Sequence, residues 1–217
     1  MMNLTIETVN TLKNFSQINP SLVVKPGSEL VTMSPSKTII AKMITAEVFS
    51  EPFCIYELNK FLGVVSMLED PDFDFGDKSV TIKSKTGTVN YTYADESMVV
   101  APITNNIEVK DPVAAFQLNK TELTSVIRAA SVLQTDLVKV SSIEGQLKVG
   151  TANSKDATSH TFNVDIQTDN VSDFDIFLKT ENIVKIMPDS YRVTVASNVI
   201  EFRNDTHIYW IVAENTK

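Results

Sequence analysis

The chain has 217 residues, 43% of them hydrophobic, with a formal charge of −8, six glycines and a single cysteine, Cys54. That apolar content fills one large core or two of ordinary size, and the lone cysteine excludes a disulfide framework and fits a reducing compartment. A uniformly acidic surface repels nucleic acid, so any contact with DNA requires basic residues gathered locally.

The first residues lack the basic region and long apolar core of a signal peptide, and no apolar run reaches the about 18–20 residues of a membrane span. Thr5 to about Ile18 reads as a helix stopped by Asn19-Pro20. Leu22–Val24 and Leu30–Met33 read as strands around a turn at Lys25, Pro26 and Gly27, and Ser34–Ser36 is a further turn. Thr38–Val48 is β-branched and apolar, and Phe53–Leu58 leads into a second helix. Asp72–Gly76 alternates polar and apolar, the strand period. Val80–Lys83 and Thr88–Tyr93 follow as strands. Ala94–Pro112 has no clear period. The second half repeats the order: strand Ala114–Leu118, helix from about Lys120 to Leu133, and a hairpin of Leu137–Ile143 and Gln146–Thr151 around Glu144-Gly145. Strands Thr158–Ile166 and Phe174–Leu178 come next, then helix Glu181–Met187 ended by Pro188, and strands Tyr191–Ala196, Val199–Arg203 and Ile208–Ala213. The expected fold class is α+β, with two similar domains of two short helices on antiparallel sheets. They span 1–98 and 114–217 and are joined by a connector over 99–113.

The organising feature is a repeat. Leu58, Leu118 and Leu178 stand at one constant spacing, each before a short helix, and Leu4 opens a weaker copy. Thr5, Asn59, Asn119 and Thr180 are the candidate caps, because their side-chain oxygens accept from N–H groups that a first helical turn leaves unpaired. Asn119 and Glu122 have capping-box spacing. Each helix is apolar on one face only and must lay that face on the strands.

Enzyme chemistry is hard to place. Asp70 to Asp77 invites a calcium reading, but the sixth and twelfth places of that loop hold Phe75 and Thr81 in place of Gly and Glu. An edge strand with its carboxylates in water fits better. His160 and His207 have no metal-ligand spacing around them. No phosphate-cradling glycine loop and no nucleophile elbow occurs. No catalytic residue, metal or cofactor is therefore expected.

The helix charges say more. Glu7, Glu122 and Glu181 sit in first turns, where they complement the helix dipole. Lys13, Arg128 and Lys185 lie further along, on roughly equivalent faces when counted from the anchoring leucines, and Lys60 and Lys120 start two helices. One reading is ordinary solvated faces; the other is a thin basic surface for sequence-independent phosphate contact.

Several stretches resemble the DNA polymerase sliding clamps of T-even-type tailed phages. They are Thr11–Asn19 (TLKNFSQIN), Tyr56–Leu68 (YELNKFLGVVSML), Val99–Pro102 (VVAP), Glu122–Asp136 (ELTSVIRAASVLQTD) and Lys185–Tyr191 (KIMPDSY), in family order and over nearly the whole length. The resemblance implies a DNA clamp fold and a homotrimer closed head to tail into a six-domain ring around duplex DNA. Such a ring tethers the replicative DNA polymerase for processive synthesis, is opened and closed by an ATP-driven clamp loader, and hydrolyses nothing itself. In this group it also implies activation of phage late transcription through a late-transcription sigma factor and co-activator. The implied location is the cytoplasm of the infected bacterium, away from any membrane.

By matching positions, Lys13, Lys60, Lys120, Arg128 and Lys185 become the DNA-facing residues, although Ala130-Ser131 stands where the family can carry a further base. Ring closure should join strand edges, Thr88–Tyr93 against His160–Val164 of a neighbour, with Thr88, Val89, Tyr91 and Tyr93 meeting Thr161, Phe162 and Val164. A partner-peptide groove is expected at Val99, Val100, Ala101, Pro102 and Ile103, with Ile211, Val212 and Ala213. The rival readings are an acidic, β-rich phage structural or assembly protein and a small hydrolase with an unrecognised site.

Overall fold

We describe a computed structural model of the chain, covering residues 2–156, 158–168 and 171–214. Contacts divide it into two units, Met1–Asn105 and Asn106–Lys217, a division that falls inside the 99–113 segment.

The first unit opens on α1 (Ile6–Ile18). Thr5 is its N-cap and accepts from the Thr8 N–H. Thr8, Leu12, Phe15 and Ile18 are buried at helical spacing. Burying the three large apolar side chains is worth about 1.5–3 kcal/mol each, against about 1 kcal/mol for the cap, so packing holds the helix and the cap sets where it begins. Strands β1 (Leu22–Val24) and β4 (Phe53–Ile55) pair with each other. The hairpin β2 (Gly27–Met33) and β3 (Ile39–Phe49) forms a second sheet, with a register shift between Gly27 and Glu29. A third sheet runs β5 (Asp72–Phe75), β6 (Ser79–Ser84), β7 (Gly87–Thr92).

Helix α2 (Leu58–Met67) starts earlier than its sequence suggests. Asn59 is not its cap. Glu57 holds that position without a side-chain bond, and the Leu58 N–H is satisfied by the Pro20 carbonyl at 2.7 Å. Leu58 is thus the first residue of its helix, whereas Leu118 stands before Asn119, the cap of α3 (Lys120–Leu133). The even leucine spacing does not mark equivalent positions. Thr5 and Asn119 are the true counterparts, each capping the first helix of its unit.

In the second unit β8 (Ala114–Leu118) leads into α3, where the capping box of Asn119 and Glu122 is fully formed. Strands β9 (Leu137–Ile143) and β10 (Gln146–Ala152) turn through Glu144 and Gly145, both at positive φ, the geometry whose twist matches a tight hairpin. β11 (Asn163–Ile166) and β12 (Phe174–Lys179) complete a sheet in the order β11-β10-β9-β12. β13 (Tyr191–Val195), β14 (Val199–Arg203) and β15 (His207–Val212) join β8 in the order β15-β14-β13-β8.

Two second-half elements are shorter than expected. β11 begins at Asn163, not Thr158, because Asp156 accepts from the N–H and hydroxyl of Thr158 and holds a turn there. Helix α4 (Thr180–Ile183) stops well before Met187, with Lys179 rather than Thr180 as its N-cap. The Lys185 and Ile186 N–H groups bond three residues back, to Asn182 and Ile183. The chain has tightened ahead of Pro188, which disfavours helix in the residue before it.

Candidate functional site

Each unit sets its two helices side by side, α1 with α2 and α3 with α4. Lys13 is exposed on α1 and Arg128 on α3. They sit eight and nine residues after their caps, adjacent rather than identical positions on equivalent helices. Lys13 lines a hollow with Ile6, Asn10, Val65 and Asp70. Lys120 is the exposed first residue of α3. Lys60 is exposed on α2, with its Nζ 3.2 Å from Glu57, an exposed pair that water and salt leave weak. Lys185 differs from the helical reading. It lies beyond α4, half-buried, so no helical period places it. Its segment is pinned by two buried tyrosines. The Tyr191 hydroxyl donates to the Met187 carbonyl at 2.8 Å, and the Met187 N–H donates to the Tyr209 hydroxyl at 3.4 Å. Burial pushes both phenols above their ordinary range, so they stay neutral donors and acceptors.

The small sheets carry the next feature. The far edge of β5 is capped by Met2, whose N–H and carbonyl both bond Phe73. The far edge of β12 is capped by Glu214, whose N–H donates to the Phe177 carbonyl. The opposite edges, β7 and β11, pair with nothing beyond β6 and β10 among the described residues. In antiparallel pairs every second residue turns its N–H and C=O to the partner strand. The Tyr93 N–H bonds Lys78 of the β6 side, so Thr88, Asn90 and Thr92 turn theirs outward. The Thr151 N–H bonds Phe162, so Asn163 and Asp165 do the same on β11.

Of the residues expected on these edges, Val89, Tyr91 and Tyr93 are half-buried on the inner face, and Phe162 and Val164 likewise. Thr88 and Thr161 are exposed. Tyr93 stacks on Phe53 at 5.2 Å, and burial pushes its phenol up to about 12. Asn90 and Asn163 fall within the expected edge stretches and Asp165 lies beyond them; that these three turn their backbone outward is known only once the hydrogen-bonding parity of each pair is known.

The segment 99–105 is fastened to the first unit. The buried Asn19 amide donates to the Met33 carbonyl at 2.8 Å and to the Val100 carbonyl at 2.9 Å, while its oxygen accepts from Ser21. Asn105 donates to Glu29, which also holds the buried Lys42 ammonium at 2.5 Å. Ala101 and the buried Pro102 close a small hollow over Val23 and Val31. Val99 is half-buried, the Val100 side chain is 43% exposed and Ile103 is fully exposed. Cys54 is buried beside Ala94 and Asp95, its thiol pushed up to about 11 by burial and then by Glu96 and Asp95.

The C-terminal groove residues need a correction. Ile211 is fully buried and Ala213 is buried, whereas Val212 is 42% exposed. Strand alternation sends Tyr209, Ile211 and Ala213 to one face and Val212 to the other. Only Val212 of these three offers side-chain surface to a partner. His160 is exposed, and His207 is buried with Nδ1 2.8 Å from the Thr206 hydroxyl. Among the described residues no group of three or more His, Cys, Asp or Glu gathers into a metal site, and no helix is long and apolar enough to cross a membrane.

No family model matches the chain. It is 27% identical over 220 residues to the sliding clamp of Vibrio phage KVP40, covering 98% of this chain and 99% of that protein. It is also 27% identical over 201 residues to the sliding clamp of Enterobacteria phage T4, covering 88% and 86%. Among solved structures, the proliferating cellular nuclear antigen of Entamoeba histolytica superposes with a TM-score of 0.70 over 95% of this chain and 94% of that one, at 13% identity. The fold is that of DNA clamps.

Proposed function

We propose that this chain, similar from end to end to the sliding clamps of T4-like phages, is itself a sliding clamp in phage DNA replication. The observation that carries this reading is the alignment with the KVP40 clamp, which leaves almost no part of either protein unmatched. Two features of the chain support it independently. Each unit keeps one small-sheet edge open, as head-to-tail ring closure requires. Bases stand exposed on the first helix of each unit in a chain of net charge −8.

Three copies close head to tail, β7 of one against β11 of the next, into a six-domain ring around duplex DNA. The ring binds no particular sequence: Lys13, Arg128, Lys60, Lys120 and Lys185 contact phosphates, which carry charge but no sequence information. A topological link needs little intrinsic affinity, so a sparse lining suffices. The replicative polymerase docks at Val99, Val100, Ala101, Pro102 and Ile103 together with Val212. An ATP-driven loader opens the ring, the clamp itself turns over no substrate, and the ring on DNA serves late transcription through a sigma factor and its co-activator. All of this takes place in the cytoplasm of the infected cell.

Sedimentation equilibrium over a range of concentrations tests the ring first. A mass three times the 24.0 kDa chain is expected, followed by loader-dependent retention on circular but not linear DNA. A strict monomer at high concentration overturns the reading in favour of an acidic structural or assembly protein.

A further inference from the structure

The two open edges differ in the charges beside them, and this selects how they meet. On the outer face of the first unit's small sheet, Asp72 of β5 stands opposite Lys83 of β6, which stands opposite Thr88 of β7. On the corresponding face in the second unit, Asp165 of β11 stands opposite Lys148 of β10, with the Lys148 Nζ 3.6 Å from the Asp165 carboxylate. Lys83 is exposed and makes no ion pair with any described residue.

The outward backbone of β7 belongs to Thr88, Asn90 and Thr92, and that of β11 to Asn163 and Asp165. An antiparallel junction must bring these sets together, so only registers two residues apart are allowed. Two of them set every residue of β11 opposite a residue of β7. One sets Asn90 opposite Asn163, and with it Thr88 opposite Asp165, Val89 opposite Val164 and Tyr91 opposite Phe162. The other sets Asn90 opposite Asp165. In the first, the outer row across the junction reads Asp72, Lys83, Thr88, then Asp165 and Lys148, so the carboxylate stands beside its own Lys148 and in one row with Lys83, with only the uncharged Thr88 between them. In the second, Asp165 faces the row Asn90, Thr81, Asp74, which holds a carboxylate and no base, and Lys83 is left without an anion from the neighbour.

Resting on the ring reading above, we propose that ring closure uses the Asn90–Asn163 register and that Asp165, held between its own Lys148 and a neighbouring subunit's Lys83, is the residue that selects it. Lys83 and Asp165 stand two strand spacings apart, about 10 Å, on one face; at low salt that lies within a Debye length, so the opposite charges still attract, and a mispaired register forfeits that attraction.

Paired cysteines read the register directly. Residues directly opposite in a hydrogen-bonded antiparallel pair have Cα atoms about 5.5 Å apart, within disulfide reach, whereas diagonal neighbours at about 7–8 Å are not. The Asn90→Cys/Asn163→Cys chain should oxidise to covalently linked trimers, and Thr92→Cys/Asn163→Cys, which reads the other register with Asp165 in place, should not. Asp165→Lys should weaken trimer association about fivefold or more at low salt, and adding Lys83→Asp should recover it, which a purely structural defect would not allow. Cross-linking by the Thr92/Asn163 pair instead, or a charge swap that fails to rescue, overturns the register while leaving the ring intact. Absence of any trimer in the unaltered chain overturns the ring reading itself and the register with it.

Discussion

Gly150 of β10 stands opposite Asn163 of β11, and a Cβ on residue 150 would lie 2.1 Å from the Asn163 Oδ1 and 2.3 Å from the Phe162 carbonyl. The second contact is with backbone, which cannot swing away. Glycine is therefore required here, because β11 is seated directly over the space a side chain would take. Gly150→Ala should push β11 off β10 at a cost of about 1–3 kcal/mol, the usual range for overpacking. As β11 carries the proposed ring edge, the trimer should weaken as well. Thermal denaturation and sedimentation of the variant check both, and an unchanged melting temperature would mean that the strand end relaxes freely.

Glu47 of β3 ties α1 to the sheet. Its carboxylate accepts from the Thr5 N–H at 2.5 Å and the Thr8 hydroxyl at 2.7 Å. Burial opposes ionisation, but the bonds from Thr5, Thr8 and its own backbone outweigh it and hold its pKa below the ordinary 4.5. A depressed folded pKa adds stability above the unfolded value and loses it as the pH falls through the folded one. Glu47→Gln should be destabilised at neutral pH by about 1–3 kcal/mol, as expected when hydrogen bonds to a charged group are weakened. The two proteins should converge in urea titrations as the pH drops below about 4.5. A constant difference down to low pH would refute the role given to the charge.

Val100 offers its side chain to solvent while its carbonyl is held by Asn19. Val100→Asp therefore leaves the anchor in place and should change stability by less than about 0.5 kcal/mol. The trimer mass should be unchanged and polymerase tethering abolished, as read by processive synthesis on a primed circle. Full processivity in the variant would remove this stretch from the docking site.

Lys13 and Arg128 stand on helices that the ring reading turns toward DNA. Reversing both to Glu should shorten retention on circular DNA. It should also flatten the salt dependence of duplex binding, by about one unit of log–log slope for each phosphate that the protein no longer neutralises. Trimer mass should not move. An unaltered salt slope would place these bases on an ordinary solvated surface.

Much of the local structure was legible in the order of residues. α1 and α3 begin where Thr5 and Asn119 can cap them, β8 spans Ala114–Leu118 as its alternation requires, and Glu144-Gly145 turns its hairpin. These features depend on hydrogen bonds and apolar periods within a few residues, so the chain itself carries the information. The likeness to phage sliding clamps was legible too, and the match to the KVP40 clamp runs over 98% of this chain.

What stayed hidden in the sequence depended on distant partners. The cap of α2 could not be read at Asn59, because the Pro20 carbonyl satisfies the first N–H of that helix from the far side of the β1–β3 segment. Lys185 reads as helical by its spacing, but the chain tightens ahead of Pro188 and leaves it outside α4. Ile211 and Val212 are equally apolar neighbours, yet folding buries Ile211 and leaves Val212 exposed at the end of β15, although Ile208 and Trp210 on the Val212 face are buried. The outward backbone of Asn90 and Asp165 follows only from which residues bond β6 and β10. Residue order alone thus set most elements, the caps of α1 and α3 and the likeness to sliding clamps, because these rest on local bonds and on spacing along the chain. Which strand edges stay open and which side chains reach the surface emerged only on folding, because both depend on pairing between segments far apart in the chain.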